Sequence, residues 1–388
     1  AELNREADRD YHFTRVLEIA PDTEYARRVR ESGFAVWISS VEPNPGETDL
    51  ADATLLLDGG SPDDTSDSVE LASYEIKTFD GADDLRRRLE QLPSSLDPAA
   101  SRWRFVGETG ALYNSNVTLA PISRELARID AASAQWIANA ELEWMALRRQ
   151  RWRFGPLARG YFTVNESHLN DLNLSSFQGG TFLERDILGL HHEWILRTDY
   201  TYSIDQFGGR KLGDRHAVNA SATHIGDDSN VTFAWFNVGL TQFIDDGSNP
   251  VITSQDGPAY SAGISRFHFV SWYRLSGYSY GLDADFADTE GDNFRYYAFR
   301  AHGSADVDLT EKLVLELAGG IGFRGYPDFT GLVSRDEFTW RAAARLEYQL
   351  RQGITCSLVG NYDDFISDNA GFDVDRFTAG ILTTLRYW

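Results

Sequence analysis

The sequence predicts an all-β protein: a transmembrane antiparallel β-barrel of about 14 strands, preceded by a small α+β segment. Three observations lead to this fold class. From Arg102 onward, apolar and polar residues alternate with a period of two, as in strands with one apolar face. Several of these runs last about ten positions or more, the length of a membrane-spanning strand rather than of an ordinary one. Tight turns also alternate with longer polar connections, as they do in outer-membrane barrels.

The run 338–350 (FTWRAAARLEYQL) shows the alternation most clearly. Aromatic and aliphatic residues occupy one of its faces, and mostly polar or charged residues occupy the other. Runs 136–144, 297–307 and 313–323 repeat this pattern. Aromatic residues near the ends of the apolar faces are typical of the girdles at the two membrane interfaces. The predicted girdle residues are Trp136, Trp144, Tyr297, Phe338, Trp340 and Tyr348.

Fourteen strands are predicted, and their inward faces are expected to be polar along the whole length of each strand. Tight turns mostly follow the even-numbered strands and longer polar stretches the odd-numbered ones, which places both ends of the barrel at one rim, in the periplasm. The boundary between the eighth and ninth strands falls near 268–271. The predicted strands are 102–118, 134–147, 151–165, 176–187, 192–204, 215–224, 230–243, 258–268, 271–286, 293–308, 312–325, 336–349, 353–363 and 375–388.

The amino-acid composition excludes several classes of function. The 388 residues include 36 basic and 59 acidic ones, a net charge of −23, so there is no basic excess to neutralise nucleic-acid phosphates. The single cysteine, Cys356, excludes an intramolecular disulfide framework and a multi-cysteine metal site. No apolar run reaches the roughly 18 residues of a membrane-spanning helix. The chain begins at Ala1 without methionine, as after cleavage of a signal peptide or in a truncated chain.

Residues 1–101 differ from the rest of the chain. Segments 11–19, 24–31 and 83–92 have helical character, and short apolar segments lie between the last two. We therefore predict two domains: an N-terminal periplasmic α+β segment, 1–101, and an outer-membrane β-barrel, 102–388.

Three segments resemble a known family: 103–121 (WRFVGETGALYNSNVTLAP), 288–294 (DTEGDNF) and 373–377 (DVDRF). In this family of Gram-negative outer-membrane proteins, periplasmic tetratricopeptide helices precede a C-terminal barrel; exopolysaccharide exporters and surface lipoprotein assembly modifiers are members. The resemblance covers 102–388 and implies export and recognition by the barrel-assembly machinery. Two features depart from it. Only 13–30 resembles a repeat helix pair, which makes segment 1–101 a remnant of a helical repeat, and the last strand ends in Trp388 rather than phenylalanine.

Charged residues in the inward phase are the candidate functional residues. They either pair across neighbouring strands and stiffen the wall, or form a polar lining that sets solute selectivity. Arg153 belongs to this set on the alternation alone. The predicted lumen-lining residues are Arg159, Arg197, Asp199, Arg300, His302, Asp306, Glu316, Arg324, Arg341, Arg345 and Glu347.

The sequence predicts no enzyme, no cofactor and no metal site. His191 and His192 are adjacent in a strand, so their imidazoles face opposite sides and do not converge on one ion. His268 and Ser271 are a candidate pair for a lipid hydrolase, but their odd spacing separates them and no acidic partner is evident. The acidic stretch 283–292 does not have the ligand spacing of an EF-hand, which leaves solvated loops or a bridge to lipopolysaccharide through divalent cations.

Three functions remain in this order. The first is an outer-membrane pore or export channel for a polar solute or polymer. The second is a plugged barrel that anchors a larger cell-envelope assembly, and the third is a barrel-embedded lipid hydrolase. The expected partners are outer-membrane lipid and lipopolysaccharide, the barrel-assembly machinery, and periplasmic or envelope proteins bound through residues 1–101; nucleic acid is not among them.

Overall fold

The computed structural model describes residues 101–117, 119–120, 124–125, 131–149, 151–188, 193–226, 230–244, 249–369 and 372–387. The predicted α+β segment lies almost entirely outside these residues and stays a prediction. The described part of the chain is a closed antiparallel barrel of 14 long strands, which confirms the predicted architecture. None of its helices has the length and apolar character needed to cross a bilayer.

Alternating sequence produces strands of 12 to 16 residues around the whole barrel. Three short strands (β2, β3 and β5) and three short helical segments, Ser167–Leu172, Pro250–Thr253 and Asp292–Phe294, lie in the connections. The strands are β1 (Trp103–Asn114), β2 (Leu119–Ala120), β3 (Arg124–Glu125), β4 (Ser133–Trp144), β5 (Leu147–Arg149), β6 (Trp152–Val164), β7 (Leu174–Leu188), β8 (Glu193–Phe207), β9 (Arg210–Ile225), β10 (Asn230–Phe243), β11 (Gly257–Trp272), β12 (Leu275–Ala287), β13 (Tyr296–Thr310), β14 (Leu313–Gly325), β15 (Glu337–Arg351), β16 (Ile354–Ser367) and β17 (Val374–Tyr387).

The barrel closes where β1 pairs antiparallel with β17. Each other long strand pairs with its neighbours in chain order, with β4 joining β1 to β6. A Cβ atom at Gly110 would overlap the carbonyl oxygen of Ile381, and one at Gly380 would overlap that of Ala111. Glycine at both positions therefore permits the close approach of the two closing strands, and closure leaves none of the 14 long strands with an unpaired edge.

The two rims differ in their connections. At the rim that holds the start of β1 and the end of β17, here called the terminal rim, turns such as 273–274, 311–312 and 352–353 are two residues long. At the opposite rim, here called the loop rim, segments such as 244–256 and 326–336 are longer. This is the predicted arrangement of turns and loops.

Two boundaries differ from the prediction. The fifth and sixth predicted strands, 192–204 and 215–224, extend until only Gly208 and Gly209 separate them. Both glycines have positive φ angles, 52° and 78°, so a tight turn forms at the loop rim where a longer loop was expected. The predicted boundary at 268–271 lies inside β11, and the chain reverses instead at 273–274.

The outer surface is apolar. All six predicted girdle residues point outward, and Trp136 and Phe338 are 50% and 46% exposed. Trp144 stacks on Trp103 at the terminal rim, with ring centroids 5.7 Å apart. Aliphatic side chains such as Leu317 and Ile321 are exposed between the rims. Apolar side chains exposed around the whole circumference are unusual for a protein surrounded by water.

The interior is less polar than the sequence predicts. An inward apolar cluster contains Leu112, Ile137, Tyr161, Val359 and Leu382, all buried. The inward faces are therefore not polar along their whole length. Alternation fixes which face a residue occupies, but an inward residue packed against side chains from other strands is removed from water and is favourable there as an apolar group.

Candidate functional site

The barrel interior is the candidate site, and its wall has two contrasting parts. We call the charged side chains on β1, β4, β6, β7 and β8 the charged sector. It consists of Arg104, Glu141, Glu143, Arg153, Arg159, Glu184, Asp186, Arg197 and Asp199. We call the wall of short side chains on β11 to β14 the small-residue sector. It consists of Ser261, Gly263, Ser265, Ser279, Gly281, Ser304, Ala318, Gly320 and Gly322.

Glu143 lies at the centre of the charged sector. One carboxylate oxygen accepts a hydrogen bond from Arg104 at 3.1 Å, and the other accepts one from Arg197. The second terminal nitrogen of Arg104 lies 3.2 Å from Glu184. These side chains are only 2–3% exposed. Because charges are costly to remove from water, such a cluster is stable only when each member has a partner.

The remaining members extend this network in both directions. Arg153 donates to Asp186 at 2.7 Å and also to Glu184. Arg197 donates to Asp199 at 2.7 Å. Arg159 donates to Glu141, also at 2.7 Å. These contacts are the charge-assisted hydrogen bonds that arginine forms best.

The network crosses the interior instead of following the wall. Arg104 on β1 reaches Glu184 on β7, although β4 and β6 lie between them. Arg197 on β8 reaches Glu143 on β4 past two strands in the same way. Three strand spacings measure about 14 Å along the wall, so the side chains shorten this path by extending inward. For Arg159, Arg197 and Asp199, the geometry favours the pairing interpretation.

Arg345 makes a similar cross-link on the other side of the barrel closure. Its guanidinium lies 3.2 Å from Glu108 of β1 and 3.3 Å from the hydroxyl of Thr384, which itself donates to Glu108 at 3.1 Å. Glu347 lies 3.5 Å from Arg345. These four polar side chains connect β15, β17 and β1, so Arg345 and Glu347 also hold the wall together.

Two further predicted arginines are paired with carboxylates. Arg341 lies 3.0 Å from Asp363, which also pairs with Arg376. At the loop rim, Arg324 contacts Glu337 at 3.4 Å. Both arginines are therefore members of ion pairs between neighbouring strands.

The other four predicted residues lie in or beside the small-residue sector. Arg300 donates to Asp285 at 2.6 Å, and Nδ1 of His302 lies 2.9 Å from Asp283. Asp306 of β13 stands directly opposite Glu316 of β14 in the strand register. The structure therefore brings these four residues onto one region of wall.

Sequence reasoning omitted several charged residues of the interior. They occupy the same inward phase as the residues it named, so a full reading of the alternation could have found them. Their distant partners could not be found in this way, because pairing across intervening strands depends on the closed shape. The omitted residues are Arg104, Glu108, Glu141, Glu143, Glu184, Asp186, Asp283, Asp285, Asp363 and Arg376.

The histidines and acidic loops do not form a metal site among the described residues. His191 and His192 lie outside those residues. His268 is stacked on Tyr278 with ring centroids 4.7 Å apart, on the outer face. In the acidic stretch at the loop rim, Arg295 contacts Asp288 at 3.1 Å and, from the next loop, Asp328 at 2.9 Å. The hydrogen bond to Asp328 raises the pKa of Arg295 above its ordinary value.

Comparison with known proteins gives no family and no curated relative for this chain. Several solved outer-membrane barrels are similar in structure. Omp33 of Acinetobacter baumannii is 12% identical, with 74% of this chain and 98% of that chain covered and a TM-score of 0.35. The channel DcaP of the same species is 9% identical, with 74% and 96% covered and a TM-score of 0.45. A bacterial polysaccharide outer-membrane secretin is 9% identical, with 74% and 99% covered and a TM-score of 0.38.

Similarity at this level carries no argument about activity. The resemblance to exporters with tetratricopeptide helices stays a prediction. Functional inference therefore rests on the surfaces of this barrel itself.

Proposed function

We propose that this protein is an outer-membrane channel for a small polar solute, with the path of the solute along the small-residue sector. The observation that carries the proposal is the contrast between its two surfaces. An apolar exterior encircles a barrel whose interior, on β11 to β14, combines serine, glycine and alanine with charged side chains.

The exterior supports a position in a membrane. Closed sheets are the β-structures that satisfy all backbone hydrogen bonds within lipid. Aromatic side chains lie outward near both rims: Trp144 and Tyr348 near the terminal rim, and Tyr297 and Phe338 near the loop rim. Such girdles flank the apolar band of outer-membrane barrels. We accordingly place the protein in the bacterial outer membrane, in contact with lipid and lipopolysaccharide and inserted by the barrel-assembly machinery.

The interior supports a small solute over a polymer. The charged sector and the apolar cluster around Leu382 fill one side of the interior with packed side chains. The serine, glycine and alanine side chains on β11 to β14 project little into the barrel, which favours a route for a polar solute on this side of the interior. The narrow route suits small solutes of modest charge.

The anchor function is the second candidate, and one observation favours it. Ion pairs that cross the interior, such as Arg104 with Glu184, are the kind of contact that seals a barrel. In that function residues 1–101 would bind periplasmic or envelope partners. A sealed barrel passes no current, which separates the two candidates.

Planar-bilayer recording of the purified full chain tests the channel. Gly320 faces inward and Gly319 faces outward in β14, and a Cβ at either would lie at a similar distance from its nearest atom, 3.1 Å and 3.3 Å. We expect Gly320→Trp to lower single-channel conductance and Gly319→Trp to leave it unchanged. Absence of current in the unsubstituted protein would overturn the channel and favour the anchor. Equal effects of both substitutions would show that the path lies elsewhere.

A further inference from the structure

Three inward side chains in the small-residue sector form an arrangement that the channel function does not require. Ser265 of β11, Asp283 of β12 and His302 of β13 meet near mid-height of the barrel. The hydroxyl oxygen of Ser265 lies 3.1 Å from Nε2 of His302, and Nδ1 of the same imidazole lies 2.9 Å from the Asp283 carboxylate. A serine and a carboxylate on opposite nitrogens of one histidine is the geometry of a serine-hydrolase triad.

The strand register and a glycine bring these residues together. Ser265 pairs with Gly281, and Gly281 pairs with His302, so the serine and the histidine lie two strands apart in one row. The backbones are about 9–10 Å apart at that separation. A Cβ at Gly281 would overlap both Oγ of Ser265 and Nε2 of His302. Only glycine at this position lets the two side chains touch across the middle strand.

The catalytic role requires one tautomer of the histidine. A proton on Nδ1, the nitrogen nearer Asp283, leaves Nε2 as the acceptor for the Ser265 hydroxyl. In that tautomer, histidine acts as a general base towards serine.

Asp283 has one ion-pair contact among the described residues, Nδ1 of His302 at 2.9 Å. Its side chain is fully buried, and neither of its carboxylate oxygens makes a hydrogen bond of good geometry to a described residue. The carboxylates of the charged sector behave differently, since Glu143 and Glu184 each contact two or more arginines. Among these residues, Asp283 therefore contacts the imidazole and forms no ion pair with an arginine.

From this geometry we infer that Ser265 is a nucleophile that cleaves small carboxylic esters in the barrel interior. Its oxygen bonds to the ester carbonyl carbon while its proton moves to Nε2 of His302. The C–O bond to the leaving alcohol then breaks, and the alcohol takes that proton. Water attacks the acyl-serine in the same way, which releases the acid and restores the serine. Asp283 is the positioning residue that holds the imidazole and stabilises its charged form.

The residues around the triad limit the size of the ester. Gly320 of β14 pairs with His302, so glycine flanks the imidazole in both neighbouring strands. Ser265 is only 1% exposed, so a substrate reaches it only when neighbouring side chains move. We therefore limit the proposal to compact esters, because a bulky lipid does not reach a hydroxyl buried to this extent.

Labelling of the purified, folded full chain with diisopropyl fluorophosphate tests the nucleophile. We expect one adduct, located on Ser265 by peptide mass spectrometry and absent in Ser265→Ala. Ser279 is the matched control: it is also inward and buried, but its hydroxyl contacts Ser304 at 2.8 Å and no histidine. Ser279→Ala should label normally. An unlabelled native protein, or an adduct on another serine, would overturn the proposal.

Hydrolysis of p-nitrophenyl acetate tests the roles of the partners. His302→Gln should slow labelling and hydrolysis at least about 100-fold, the usual contribution of a general base. Asp283→Asn should lower kcat with little change in KM, since Asp283 acts through the histidine. Heat-modifiable migration of each variant on gels checks that the barrel has folded. A folded His302→Gln variant that labels at the native rate would contradict the triad.

Discussion

The charged sector and the small-residue sector belong to one sheet and share one exterior, yet their interiors are opposites. In the first, Glu143 and its arginines extend across the barrel and connect strands that are not neighbours. In the second, glycine and serine keep the wall thin, and the contacts run between strands no more than two apart. The same alternating pattern thus forms one side with long cross-links and one side with short side chains and contacts between nearby strands. The outward-facing residues give the barrel its apolar exterior, and the size of the inward-facing residues determines how the interior is packed.

The largest difference between the sectors should appear in stability. Glu143→Gln removes the charge that faces both Arg104 and Arg197, and it leaves two buried guanidinium groups without that partner. We expect it to lower the free energy of unfolding by about 3–5 kcal/mol. Urea unfolding from lipid vesicles, followed by tryptophan fluorescence, measures this.

Two controls define what this result means. Ser265→Ala, in the small-residue sector, should cost no more than about 1–2 kcal/mol, because it removes one neutral hydrogen bond. Glu311→Gln, an exposed carboxylate in the turn before β14, should change stability by less than about 0.5 kcal/mol. If Glu143→Gln costs no more than Glu311→Gln, the charged sector does not brace the barrel.

The next effect is the loss of stability when arginine is placed on the outer face. It should be the same on the strands of both sectors. Leu183 of β7 lies on the outer face of the wall that carries the charged sector, and Leu317 of β14 lies on the outer face of the wall that carries the small-residue sector. The two side chains are 42% and 45% exposed and lie at similar distances from the terminal rim. Arginine at either position should cost about 2–4 kcal/mol in lipid vesicles, near the middle of the apolar band. Inward Ala343→Arg is the matched control and should cost much less. Equal tolerance of arginine on both faces would show that lipid does not surround this barrel.

The sequence predicted the outward half of this molecule well, and the reason is physical. A strand has a period of two, and lipid demands apolar side chains at every second position, so Phe338 to Leu350 could be assigned to faces without a structure. The 14 strands and the two unlike rims followed from the same signal. The prediction of a long connection between β8 and β9 was wrong. Polar residues such as Asp205 and Lys211 are typical of a loop, but here they continue the strands up to the Gly208–Gly209 turn.

The interior was harder to predict because its contacts depend on closure. Alternation showed that Arg197 and His302 face inward, but it could not show that their partners are Glu143 and Asp283. The sequence offers a serine–histidine pair at His268 and Ser271, which are close together in the chain. The pair that the barrel assembles, Ser265 with His302, is separated by 37 positions and needs Gly281 between them.

The smallest expected effect is on ion selectivity, and it compares the carboxylates beside the small-residue sector with those of the charged sector. Asp306 and Glu316 stand opposite each other on β13 and β14, and Glu316 also stands opposite Arg345 of β15. Rings or pairs of carboxylates in a narrow pore attract cations. We therefore expect the proposed channel to have a modest cation preference in the unsubstituted protein. Asp306→Asn with Glu316→Gln should reduce it, seen as a shift of the reversal potential towards zero in a salt gradient.

The matched substitution lies in the charged sector. Asp199→Asn also removes an inward carboxylate, but that carboxylate is already held by Arg197 at 2.7 Å in the packed side of the interior. It should leave the reversal potential unchanged, although it lowers stability. If Asp199→Asn shifts selectivity as much as the double substitution on β13 and β14, ions pass along the charged sector too. The two halves of the barrel would then differ in packing but not in what they conduct.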